Sequence, residues 1–183
     1  MTMKSIPKIV CTIAVMSASF IGSAHAKTEA ATPWGIEIGG TCQQGLDRIG
    51  ATKQKSLDDG DTMYYAVDNN TLYQGAKEVS LRCSNGKVIA LQVLASKEGM
   101  GNPAARAAYQ TLAKRYTKVA GGPVPQLGNG YARFVKGTSV IEIEARHLDF
   151  DFTVTYLTKG FYDDIVETNK KRAQDKLTNR AGM

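Results

Sequence analysis

Asn85-Gly86 stands between two runs of strand-forming residues, and that placement narrows the fold more than any other feature of the chain. Both central positions of a two-residue hairpin turn need positive φ, which Asn and Gly tolerate best. Before the turn, residues 78–84 alternate, with Val79, Leu81 and Cys83 on one face and Ser80, Arg82 and Ser84 on the other. After it, residues 87–95 are rich in Val, Ile and Leu. The two runs predict an antiparallel hairpin with one face to bury. An amphipathic helix is the usual cover for such a face.

Other periodic segments extend this pattern. Pro33 to Gly40 reads as a short extended segment, and Thr41 is placed to cap a helix that carries Cys42, Leu46 and Ile49 on one face and stops at Gly50. Residues 51–62 are polar and Asp/Gly-rich, which suits a loop or a ragged edge strand. Residues 63–68 form a further strand candidate. Asn102-Pro103 opens a longer helix whose apolar positions, Ala105, Ala108, Tyr109, Leu112, Tyr116 and Val119, recur at helical spacing before Gly121-Gly122-Pro123 ends it. Three strands are then expected over 131–136, 139–147 and 150–157, and a final helix over about 161–177 with Phe161 and Ile165 inward. The expected class is α+β: two tandem units, each a helix plus a three-stranded antiparallel meander (about 33–100 and 101–177), packed as one domain with a C-terminal helix.

The N-terminus sets the compartment. Lys4 and Lys8 precede an apolar run from Ile9 to Ile21, and Ala24-His25-Ala26 closes it with a small-x-small pattern. That order predicts a signal peptide over 1–26, too short in its apolar part to span a bilayer. Cys11 lies inside the run with no small-residue motif before it, so no lipid anchor is expected. A 26-residue leader removed from 183 residues leaves 157 in the expected mature chain 27–183, enough for one core. The 23 basic and 17 acidic residues lose two lysines with it, leaving a net charge of +4. So mild an excess, on an exported chain, does not predict nucleic-acid binding. Lys114-Arg115-Lys118 and Lys170-Lys171-Arg172 fall near expected helix ends, where cations complement the dipole; a patch for an anionic partner is the alternative. Residues 27–32 read as a flexible leader. Cys42 and Cys83 are the two cysteines left after processing, and an even pair in an oxidising periplasm predicts one disulfide from the first helix to the sheet.

The chain also carries a likeness. The opening "PWGIEIGGTCQQGLDRIG" resembles the aromatic-Gly entry into a short helix found in small exported bacterial proteins. The segments "AYQTLAKRYTKVAGGP" and "FTVTYLTKGFYDD" are similar to their second half. The broader resemblance is to helix-and-meander periplasmic modules of the SmpA/BamE-like kind, and it implies a part in assembling envelope complexes.

Catalytic chemistry finds little footing. His147 is the one histidine of the expected mature chain, and alternation after Ile141, Ile143 and Ala145 predicts that it points inward at a strand end, the only basis for an unrecognised hydrolase. No G-x-S-x-G elbow is present, and Ser139 falls at an expected turn. Asp58-Asp59-Gly60-Asp61 lacks the spaced ligands of a calcium loop. Glu142 and Glu144 are expected on an outward, charged face with Arg146 rather than as an acid/base pair. No cofactor and no metal are expected, and the chain is read as not an enzyme. Its expected partner is another periplasmic or envelope protein: the chain would be an assembly factor, an immunity protein or an enzyme inhibitor. Trp34, Tyr64, Tyr65 and Tyr131 are the candidate binding surface, because aromatics are enriched at hot spots, although they suit the rim of a small core equally well. The alternative is a carrier of a small hydrophobic ligand or lipid, with a pocket lined by Leu91, Val93, Phe134 and Phe152.

Overall fold

The computed structural model describes residues 29–67, 72–99 and 101–181; the expected signal peptide lies outside them. After a single 3-10 turn at Pro33–Gly35 come α1 (Cys42–Ile49), β1 (Lys53–Ser56), β2 (Thr62–Val67), β3 (Ala76–Ser84) and β4 (Lys87–Ser96). Then follow α2 (Pro103–Arg115), β5 (Thr117–Gly121), β6 (Gly130–Lys136), β7 (Ser139–Ala145), β8 (Asp151–Thr158) and α3 (Lys159–Ala181). The class is α+β. All eight strands join one antiparallel sheet in the order β1-β2-β3-β4-β8-β7-β6-β5. The sheet is continuous because β4 pairs with β8 along seven positions, from Ala90↔Leu157 to Ser96↔Asp151.

Alternation sorts the sheet into two faces. Val79, Leu81, Leu91, Val93, Phe152, Val154, Ile141, Ile143 and Phe134 are all buried on the face that α1 and α2 cover. α1 lies over β2–β4 and α2 over β6 and β7. Asn85 (φ 49) and Gly86 (φ 73) make the expected hairpin turn, and Gly50 (φ 60) ends α1 in the left-handed region. The disulfide Cys42–Cys83 ties α1 to β3, with Cα atoms 5.9 Å apart.

The strand count differs from the expected three per unit, since β1 and β5 add an edge strand on each side. β1 falls inside the segment read as a loop or ragged edge. β5 takes residues that the helical spacing placed in α2. Tyr116 is already extended (φ −133, ψ 152), and Thr117–Gly121 pairs with β6, where β-branched Thr117 and Val119 are better accommodated than in a helix. Gly121 (φ 71) is required here: a Cβ would stand 2.2 Å from the Tyr131 carbonyl oxygen.

Residues 29–32, expected to be a flexible leader, are instead docked. Ala31 is buried, its amide donates to Ser139 Oγ (3.0 Å), and its carbonyl accepts from Ile38 N (3.0 Å). Lys136 pairs with Glu29 at 3.1 Å. Ser139 is thereby used as a buried acceptor at the start of β7. The Lys170-Lys171-Arg172 cluster lies within α3 rather than at its end, and Lys171 pairs with Glu167 one turn earlier (2.9 Å).

Candidate protein-binding surface

Among the described residues, the second face of the sheet has no helix layer beyond α3. The first turns of α3 cover one end, where Phe161 and Tyr162 pack on Ala90, Val140 and Leu157. Two arginines bracket this contact: Arg82 lies 4.6 Å from the Phe161 ring centroid and Arg133 lies 4.7 Å from that of Tyr162. Beyond α3 the face presents polar and charged side chains at alternate positions, including Gln92 and Thr155 across the β4–β8 pair. On β6 and β7, Tyr131 Oη donates to Glu142 Oε1 (2.6 Å), and Arg133 Nε donates to the same oxygen (2.9 Å). Burial, then the hydrogen bond to Glu142, push the Tyr131 phenol up to about 12, so it remains a donor at neutral pH.

At the end of the sheet away from the start of α3, the β7–β8 hairpin carries two large apolar side chains into solvent: Leu148 is 85% exposed and Phe150 69%. Shallow concavities of about 660 and 630 Å³ flank the hairpin. Tyr131, Glu144, Arg146 and His147 border the first, and Lys77, Leu94, Phe150 and Thr153 the second. Leu127, 63% exposed, lies in the neighbouring β5–β6 loop.

Buried polar groups hold these exposed loops in shape. Lys97 is only 1% exposed; its ammonium donates to the Arg146 carbonyl and its amide to the Phe150 carbonyl (2.9 Å). Asn102, also buried, donates from Nδ2 to the carbonyls of Pro125 (2.9 Å) and Gly128 (3.0 Å). Asn129 Oδ1 accepts from the His147 amide (2.7 Å), joining the two loops. Desolvating an ammonium is costly unless it is hydrogen-bonded, so Lys97 makes the hairpin conformation expensive to lose. Around the tip the charges are of both signs: Glu144–Arg146 (2.9 Å), Lys77–Asp151 (2.5 Å) and Asp149.

The four aromatic residues singled out from sequence do not form one patch. Trp34 and Tyr64 pack against the helix-covered core, whereas Tyr65 and Tyr131 belong to the other face by register. Tyr65 on β2 and Tyr131 on β6 stand five strands apart, roughly 24 Å at the usual strand spacing. His147 does not point inward. β7 stops at Ala145, and His147 lies exposed in the hairpin, because strand alternation has no meaning once the ladder ends. Phe150, grouped by alternation with Phe152, Val154 and Tyr156, precedes β8 and is exposed for the same reason. Of the proposed pocket lining, Leu91, Phe134 and Phe152 are closed in the core at 2% exposure or less, and Val93, 1% exposed, borders a crevice beside Trp34. Glu142 and Glu144 do face outward with arginine partners. The signal for the tip was present: Leu148-Asp149-Phe150-Asp151 sets two large apolar residues in a turn, where binary patterning calls for polar ones. No family model, curated protein or solved structure matches this chain.

Proposed function

We propose that the chain is an exported, non-catalytic protein of the bacterial periplasm that binds another protein through the uncovered sheet face and the β7–β8 hairpin. The single observation that carries this reading is the hairpin tip, with Leu148 and Phe150 in solvent on a loop clamped by the buried Lys97. Exposed apolar clusters on an otherwise satisfied fold mark interaction sites, and a preorganised loop lowers the entropy lost on binding. Tyr131 and Arg146 beside it are residue types enriched at interface hot spots. The mixed charges around the tip suit the polar rim of a protein interface, whereas a lipid surface would call for a cationic cluster.

Export rests on the 1–26 pattern, with the Cys42–Cys83 disulfide in keeping with an oxidising compartment. The likeness to SmpA/BamE-like modules and the reading of the chain as a duplicated helix-and-meander stand with it. The sheet order supports the duplication, since a helix followed by four consecutive strands occurs on each side of the β4–β8 seam. Assembly factor, immunity protein and inhibitor share this binding mode.

Site-specific photo-crosslinking in the periplasm tests the reading. A crosslinking residue at position 148 or 150 is expected to trap one protein in an adduct of defined mass, and the same residue at exposed position 177 on α3 is expected to trap none. Identical adduct patterns from all three positions would remove the proposal.

A further inference from the structure

Two helices cannot cover eight strands. Seven strand spacings make the sheet roughly 34 Å wide, and two helices of about 10 Å diameter leave an uncovered strip between them. That strip falls on the β4–β8 seam, because α1 lies over β2–β4 and α2 over β6 and β7, and there Trp34, Tyr73 and Tyr116 instead of a helix pack on the core. The Pro33–Gly35 turn roofs part of it, leaving a crevice of about 260 Å³ between that turn and α2. Val93 and Val154 form its floor, Trp34, Tyr73, Tyr116 and Tyr156 wall it, and Arg115 stands at its mouth.

We infer that this crevice is a binding site for a small aromatic carboxylate, its ring held against the wall of four aromatic side chains and its carboxylate taken by Arg115. Three independent features lead there. Trp34 packs edge-on against Tyr73 (6.3 Å) and Tyr156 (5.9 Å), and Tyr116 edge-on against Tyr156 (6.3 Å), so the four rings form one continuous aromatic wall along the crevice. Arg115 is the one charged residue among those that line the crevice and makes no ion pair among the described residues, while the Tyr116 and Tyr156 hydroxyls are hydrogen-bonded to each other. Finally, Trp34 sits at φ 50, ψ 28, a left-handed conformation that a bulky side chain adopts only under constraint and that clusters at ligand sites. At about 260 Å³ the volume is just below the usual range of small-molecule pockets, so the ligand is small. A guanidinium bordering the crevice selects an anion over its neutral counterpart through charge-assisted hydrogen bonds.

Trp34 is the chain's one tryptophan, so occupancy reads out directly in its fluorescence. The probes are 4-phenylbutyrate and the neutral 4-phenylbutan-1-ol, titrated into the oxidised full mature chain with excitation at the red edge of indole absorption. The acid is expected to give a saturable change and to bind about tenfold more tightly than the alcohol, the increment of a charge-assisted hydrogen bond. Arg115→Gln is expected to erase that preference while leaving the affinity for the alcohol unchanged. Ala107→Leu, at an exposed helix position bordering the crevice, is expected to weaken both. No saturable change at millimolar acid, equal binding of acid and alcohol by the unsubstituted protein, or affinities indifferent to Ala107→Leu would each overturn the inference. None of these outcomes bears on the β7–β8 hairpin at the end of the sheet.

Discussion

Arg82 is a junction at the scale of single residues. Its guanidinium donates to Asp61 Oδ2 (2.8 Å), pairs with Asp59 and lies over the Phe161 ring, so one cation joins the β1–β2 loop, β3 and α3. Burial pushes the Asp61 carboxyl up, but hydrogen bonds from Ser84 and Arg82 together outweigh it and hold the group below the usual carboxylate range. A depressed folded-state value means that Asp61 stabilises the fold fully above 3.8, its value in the unfolded chain, and that the contribution disappears as pH falls through the folded value. Asp61→Asn is therefore expected to lose about 1–3 kcal/mol at pH 6, the cost of losing a charge-assisted hydrogen bond to the half-buried Arg82, which is left with Asp59 alone. The gap to the unsubstituted protein should close as pH drops below 3.8. Urea midpoints measured for both proteins from pH 6 to pH 2.5 check this, and a gap that stays constant across the range would contradict it. In the sequence Asp58-Asp59-Gly60-Asp61 is merely an acidic loop. Its partner is 21 residues past Asp61 and becomes a neighbour only through the β2–β3 register, Met63↔Arg82. Local composition carries no trace of that pairing.

Among the elements, α1 depends most on what it touches. Eight residues are too few for a helix to persist alone, so its stability comes from the sheet. Gly45 lets it approach closely, since a Cβ there would lie 2.8 Å from Leu81 Cδ2, and Cys42–Cys83 fixes the contact covalently. The bridge closes a loop with a sequence separation of 41, worth about 4 kcal/mol in the chain-entropy account. Reduction, or the paired Cys42→Ala and Cys83→Ala substitution, is expected to lower the unfolding free energy by about that amount. Denaturant titration of the oxidised and reduced forms measures it, and a difference under about 1 kcal/mol would show that packing alone holds α1. This staple was legible because two periodicities agree on it: Cys42 falls on a helical apolar face and Cys83 on the inward face of an alternating strand. α2 was half legible. Its start follows the Asn-Pro signal, although Asn102 holds the 125–128 loop instead of capping the helix. Its end was misplaced because Tyr116 and Val119 satisfy a helical period while the open edge of β6 offers their backbone a ladder.

For the whole molecule the decisive contact is the β4–β8 seam, and it is the one least visible in the sequence. Pairing Ala90 with Leu157 joins residues 67 positions apart, and each strand alone reads only as a buried, apolar run. Nothing local says which strands meet. The seam turns two four-stranded meanders into one sheet, and a single buried cluster runs from Cys83 and Leu91 on one side to Ile143 and Phe134 on the other. Unfolding either side would strip its neighbour of seven paired residues and expose the shared apolar layer, so the two sides are expected to unfold together. Trp34 is placed to test this, because it packs on Tyr156 of β8 and on Tyr73 from the other side of the seam. Its fluorescence reports the junction, while far-ultraviolet circular dichroism reports the strands and helices as a whole. In urea the two signals of the oxidised protein should change along one curve with one midpoint. If Trp34 emission shifted at clearly lower urea than the dichroism, the junction would be parting before its halves unfold. The molecule would then be two separately stable modules in contact rather than one cooperative sheet.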